Sequence, residues 1–279
     1  MQTLTKTTSQ EVFGRGHLEL VVVENRFGRA IISLQGAQLL SYRRKRDDKQ
    51  FLWLSDDAAF EAGRAIRGGV PICLPWFGPK DGKAQHGFAR NLLWRHCNDG
   101  DHGKVKFELV ARAEDPKFDF DWDFTATVEM SFTDQLQITL TILNESARTM
   151  PLSWALHSYL PVDDIETTVV SGLDQCEFVD NADQGRRSAQ SGLIGFSGEV
   201  DRAYLHVGET QRIDGAFEVS SAEARSAVIW NPGSDLASRM ADLSDYRGFV
   251  CLERGDVLDD ARRLLPSQAF LASVIVRSL

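Results

Sequence analysis

KVKFELVA (104–111), FTATVEMSF (124–132) and QLQITLTI (135–142) alternate apolar and polar residues almost without a break. In the first, Val105, Phe107, Leu109 and Ala111 share one face against Lys104, Lys106 and Glu108. In the second the apolar set is Phe124, Ala126, Val128, Met130 and Phe132, and in the third it is Leu136, Ile138, Leu140 and Ile142. A period of two over three successive segments predicts strands of a large antiparallel sheet packed on one side, and excludes helix as the main element. The fold class is therefore all-β.

The flanking sequence extends this reading. Downstream, MPLSWALHSYLPV (150–162) is nearly continuous in apolar residues around one histidine, which predicts a strand covered on both faces in the middle of a sandwich. Shorter strands follow at Asp164–Ser171, Gln175–Asp180, Glu199–Val207, Gly215–Ser220, Ala227–Trp230, Gly248–Glu253 and Ala269–Arg277, with a turn at Asn231-Pro232-Gly233 and a short helix within Leu236–Tyr246. Upstream, His17–Glu24, Arg29–Leu34, Ala37–Tyr42 and Phe51–Leu54 read as strands, Arg43–Lys49 as a solvated hairpin tip, and Ser55 with Asp56 and Asp57 as the cap of a short helix. No linker, charge block or fixed-period repeat divides the chain, so the expectation is one domain over residues 1–279, its first 16 residues a polar leader.

Composition narrows the function classes. The 279 residues are 43% hydrophobic and 25% charged, the balance of a soluble globular protein. A formal charge of −9 argues against a phosphate-backbone partner, leaving anionic small molecules to a local arginine cluster. Cys73, Cys97, Cys176 and Cys251 lie far apart with no CxxC pair, which predicts buried free thiols rather than a zinc site or disulfide framework. The polar start and the lack of any run of about 20 apolar residues predict a cytoplasmic protein with no membrane or nucleic-acid partner.

The chemistry-bearing stretch is IRGGVPICLPWFGPKDGKAQHGFARNLLWR (66–95). It is dense in glycine and proline, has no sustained periodicity, and carries Arg67, Gln85, His86 and Arg90 among aromatic residues, as a binding loop would. Elsewhere His157, Asp201 and Glu253 are polar exceptions in apolar or turn settings. His157 reads either as a core histidine or as an acid–base group. Glu253 could pair with Arg254, although neighbours in a strand point to opposite faces, and Asp201 could be a turn acid. No nucleophile elbow, P-loop or dinucleotide motif is present, and the histidines lack metal-ligand spacing. What remains is a carboxylate and imidazole site beside arginines, suited to proton transfer on a polyhydroxylated ligand, phosphorylated or not.

Several of these segments, in order, carry a resemblance: Arg67-Gly68-Gly69-Val70-Pro71, Pro75-Trp76-Phe77-Gly78, Gln85-His86-Gly87-Phe88-Ala89-Arg90, Ala155-Leu156-His157-Ser158-Tyr159, Val200-Asp201 and Phe249-Val250-Cys251-Leu252-Glu253. Together they resemble the glucose-6-phosphate 1-epimerases, or hexose-6-phosphate mutarotases, of the aldose 1-epimerase superfamily, from about Ile31 to the C-terminus. The resemblance implies a cofactor-free β-supersandwich that binds a sugar phosphate on its concave face, as a monomer or weak homodimer. It implies Glu253 as the base on the anomeric hydroxyl, His157 as the acid on the ring oxygen and His86 near that oxygen. Asp201 would hold sugar hydroxyls, and Arg67, Gln85 and Arg90 the 6-phosphate. From ordinary pKa values of about 4.3 and 6.5, Glu253 is expected ionised and His157 able to hold a proton. The chain departs from the family at Tyr159-Leu160-Pro161-Val162-Asp163, beside the acid.

Three other readings share the fold class. One is a mutarotase for free aldoses, another a non-catalytic carbohydrate-binding or sugar-sensing protein. The third is a glycosidase, which would need two facing carboxylates about 5–9.5 Å apart.

Overall fold

The computed structural model describes residues 2–97 and 103–279; residues 1 and 98–102, which fall within the predicted domain, lie outside the described residues. Among the described residues the strands form two eight-stranded antiparallel sheets, a four-stranded sheet and a two-stranded pair. The three alternating segments behave as their periodicity predicts. Lys104–Ala111, Phe124–Phe132 and Leu136–Asn144 pair in succession, and every predicted apolar residue is buried while its neighbours are not. With Ala269–Ser278, Phe217–Ser220, Thr210–Ile213, Val170–Ser171 and Arg95–Cys97 they make the first large sheet.

The second large sheet holds the site. Its order runs Arg186–Ala189, Glu177–Asp180, Val200–Tyr204, Ser226–Asn231, Phe249–Asp256, Trp154–Leu156 and Ile72–Cys73, with Tyr159–Pro161 also paired to Phe249–Asp256. Registers place Asp201 opposite Trp230 and Trp230 opposite Cys251; Ala203 faces Val228, and Val228 faces Glu253. Directly opposed residues share a face, and so do residues two apart, so one face carries Asp201, Ala203, Val228, Trp230, Cys251 and Glu253. The other face carries Tyr204, Ile229 and Leu252, which join the apolar faces of the first sheet in one buried cluster. The site face is floored by small residues, Ala155, Ala203, Val228 and Cys73, and walled by Trp230 and Tyr159.

Several local expectations are corrected. The polar leader is structured: Thr3–Thr8 pairs with Glu19–Glu24, and Thr8 caps a short helix, Ser9–Phe13, through a reciprocal bond with Glu11. An exposed edge strand such as TLTKTT has no buried face to impose alternation, which hides it from pattern reading. The 150–162 run is three short strands, Met150–Leu152, Trp154–Leu156 and Tyr159–Pro161, because the backbone N–H of His157 donates to Pro71 O (3.0 Å) and the chain changes its pairing there. Phe51–Leu54 is no strand; Leu54 only bridges Gly68. Ser55 accepts from Asp57 N in a turn that never becomes a helix, while the later helix lies at Gly233–Ala237, ahead of its predicted span. The 43–49 tip is solvated except for Arg44, whose buried guanidinium donates to Asp47 and to Asp134 O. Cys73 and Cys251 are buried as expected, but Cys97 and Cys176 are partly exposed. Among the described residues no helix is long and apolar enough to cross a membrane.

Candidate active site

All seven candidate residues line one cleft of about 540 Å³ on the site face. Arg67, Gln85, His86 and Arg90 come from the 66–95 stretch, His157 from the break between two strands, and Asp201 and Glu253 from strand interiors. Sequence reading missed Tyr159, Asn181, Trp230 and Met240, which line it too.

His157 and Glu253 form its deepest polar pair. Their Nε2 and Oε1 atoms are 3.3 Å apart, with only 8% and 1% of each residue exposed. Arg254 is not Glu253's partner. It turns to the opposite face and donates to Gln211 Oε1 and to the carbonyls of Glu209 and Ala224. Tyr159 stacks flat on the His157 ring (4.8 Å, 10°), and Trp230 meets the same ring edge-on at 6.0 Å. These contacts fix the imidazole without using Nδ1, which is buried and unpartnered, as is Glu253 Oε2.

Burial works against the charge states expected from ordinary pKa values. Desolvation, aided by Asp201, pushes the Glu253 carboxyl well above its usual range despite the opposing pull of Arg90. Desolvation, reinforced by His86, Arg90 and Arg67, pushes the His157 imidazole well below its own. Both shifts favour the uncharged form of the pair over the ion pair, and the ion-paired form is reached by moving a proton from Glu253 to His157.

His86 has a different character. Its backbone is left-handed (φ 63°), its N–H donates to Gly78 O (2.9 Å), and its Nδ1 accepts from Gly78 N (3.2 Å). The accepting Nδ1 assigns the ring proton to Nε2, and burial together with Arg90 and Arg67 holds its pKa down at about 3. His86 is thus a neutral hydrogen-bond donor. Its loop is pinned by Gly87, which bridges Leu74 with φ 72° and would place a Cβ 2.0 Å from Leu74 O. Gly87→Ala is expected to cost about 2 kcal/mol or more in denaturant unfolding, from left-handed strain and the backbone clash.

Asp201 Oδ1 accepts from Asn181 Nδ2 (2.9 Å), and its pKa is raised, chiefly by burial. Arg67 is held by Asp242 (Nε to Oδ2, 3.2 Å) and the Tyr159 hydroxyl (3.1 Å); its pKa is raised because these partners outweigh desolvation. Arg90 donates to the Gln85 carbonyl (2.8 Å), and its Nε is buried without a partner. The Gln85 side chain is exposed at the rim. Two guanidinium groups, a neutral imidazole donor and a buried carboxyl–imidazole pair thus surround a space large enough for a monosaccharide.

The sequence profile of the aldose 1-epimerases matches residues 19–275. The chain belongs to the aldose 1-epimerase family. A relative from Escherichia coli (strain K12), provisionally named a glucose-6-phosphate 1-epimerase, is 35% identical over 271 residues, covering 92% of this chain and 90% of its own. A plant relative from Cenchrus ciliaris bearing the same provisional name is 34% identical, covering 80% and 74%. The crystal structure of a Salmonella typhimurium protein described as a mutarotase superposes with a TM-score of 0.84 at 32% identity, covering 94% of this chain and 90% of that one. The protein is accordingly an isomerase of the epimerase class on a galactose mutarotase-like fold. In this epimerase Tyr159 supplies the stacking ring under His157, with its hydroxyl bonded to Arg67.

Proposed function

We infer that the epimerase interconverts the α and β anomers of glucose 6-phosphate and related hexose 6-phosphates, as one cofactor-free unit of 279 residues. The observation that carries this reading is the Glu253–His157 contact of 3.3 Å inside a cleft that also holds Arg67 and Arg90. A hemiacetal keeps its hydroxyl and its ring oxygen on one carbon, so an acid and a base that are neighbours in one cleft can reach both oxygens.

Glu253 takes the proton from the anomeric hydroxyl as His157 delivers one to the ring oxygen. The bond between the anomeric carbon and that oxygen breaks, leaving the open-chain aldehyde. Rotation about the adjacent carbon–carbon bond presents the other carbonyl face, and closure returns both protons with the roles exchanged. His86, neutral and donating from Nε2, stabilises charge developing on the oxygen without competing for the transferred proton. Asp201, oriented by Asn181, accepts from sugar hydroxyls. Arg67 and Arg90 hold the phosphate by charge-assisted bonds, and the exposed Gln85 side chain closes the rim.

The phosphate preference is tested by Arg67→Ala and Arg90→Ala. Each is expected to lower kcat/KM for glucose 6-phosphate about 10- to 100-fold, the worth of a hydrogen bond to a charged group, and to affect free glucose far less. Equal losses on both sugars would favour the free-aldose reading. Calorimetric binding of glucose 6-phosphate with no acceleration of anomer exchange would favour a sugar-sensing protein. Cys73 and Cys251, buried as free thiols, fit a reducing compartment, and we place the protein in the cytoplasm.

A further inference from the structure

Arg67 is not free to receive a phosphate. Its guanidinium meets Asp242 side-on, Nε to Oδ2 at 3.2 Å and Nη2 to Oδ1 at 3.4 Å, while Nη1 donates to Tyr159. A carboxylate held in that way presents two oxygens to a guanidinium edge, the same geometry a phosphate monoester would use. About a quarter of each side chain in this pair remains exposed, so solvent and ligand reach it.

Asp242 sits on the 238–247 segment that follows the Gly233–Ala237 helix. Leu236 and Met240 face the catalytic cleft, whereas Gly233, Ser234 and Tyr246 line a second cavity of about 320 Å³. The helix and the segment after it therefore border both cavities. The segment is anchored beyond Asp242, where Ser244 Oγ meets Ser55 Oγ (3.3 Å) and Asp56 N (3.1 Å), and where Arg247 pairs with Asp164 and Glu166. Asp242 itself forms its ion pair with Arg67.

We propose that Asp242 is a placeholder that tunes phosphate affinity: it occupies Arg67 in the free protein, and the 6-phosphate of the substrate displaces it. This rests on the phosphate-clamp reading of Arg67. Its consequence is that only an anionic ligand engages Arg67, at an affinity tempered by the competing carboxylate. A neutral sugar has nothing with which to displace a carboxylate from a guanidinium, whereas a phosphate bearing about −1.5 to −2 charges exchanges one charge-assisted pair for a stronger one.

The test is Asp242→Asn, which keeps the shape of the side chain and removes its charge. Titration calorimetry with inorganic phosphate, and KM for glucose 6-phosphate, are measured for the wild type, Asp242→Asn and Arg67→Ala. The expected result is phosphate binding about 3- to 10-fold tighter in Asp242→Asn, with KM lowered by a similar factor, since a competing partly exposed ion pair has been removed. Asp242→Ala is expected to tighten binding in the same direction. Unchanged or weaker binding in both variants, with Arg67→Ala still losing the phosphate preference, overturns the placeholder and leaves the clamp standing. If Arg67→Ala loses no phosphate preference, clamp and placeholder fall together.

Discussion

Glu253→Gln is expected to lower the rate of glucose 6-phosphate anomer exchange by about 10³-fold or more while leaving the protein folded and somewhat more stable. The catalytic half follows from the role. A positioned acid or base contributes about 10²–10⁴-fold, and a glutamine amide neither takes nor gives a proton on the reaction path. The stability half follows from burial. Glu253 is 1% exposed and its Oε2 has no partner, so ionising it inside the fold is unfavourable. A carboxyl with a raised folded pKa binds its proton more tightly folded than unfolded. Wild-type stability therefore declines as pH rises from the ordinary glutamate value of about 4.3 towards the raised folded one. The glutamine variant carries no such liability, and its melting temperature is expected to exceed the wild type's by a few degrees at neutral pH. An inactive variant that is also less stable would mean that Glu253 is structural.

His157→Asn is expected to reduce exchange by about 10²–10⁴-fold and to change the pH profile as well as its height. In the wild type the active pair holds one proton. On the acid side a second proton enters at His157, whose pKa is pushed below the ordinary imidazole value, so the acid limb lies below about 6.5. On the alkaline side the pair loses its single proton from Glu253, whose pKa is pushed upward, so activity persists well above the usual carboxyl range before it falls. The acid limb should vanish in His157→Asn. The substrate's phosphate ionises near pH 6, so the profile is repeated on free glucose, where a limb that remains belongs to the protein. A wild-type acid limb at or above pH 6.5 on free glucose would contradict the lowered imidazole.

The all-β architecture was legible because 104–111, 124–132 and 136–144 each have one dry and one wet face, and alternation is what that environment selects. The edge strands Thr3–Thr8, Arg186–Ala189 and Arg262–Leu264 were not, since TLTKTT, RRSA and RRL have at most one buried residue among them and are held by backbone pairing. The site residues stood out as polar side chains in apolar or glycine-rich settings. Their supporting cast did not: Asn181 lies 20 residues from Asp201, and Asp242 lies 175 from Arg67. Nothing local distinguishes such an asparagine or aspartate from an ordinary surface residue. The charge states were also beyond the sequence, because ordinary pKa values hold in water and Glu253 and His157 sit where the Asp201 strand, the Arg90 loop and the small-residue floor have removed it.

The central claim, that this fold opens and closes the ring of a phosphorylated hexose, is tested most directly by magnetisation transfer between the α and β anomeric proton signals of glucose 6-phosphate with the wild-type protein, in parallel with free glucose. The predicted result is exchange accelerated in proportion to enzyme concentration, with kcat/KM for the phosphorylated sugar at least about 100-fold above that for glucose, the scale of one or two charge-assisted phosphate contacts. No acceleration with glucose 6-phosphate, or equal acceleration of both sugars, would contradict it.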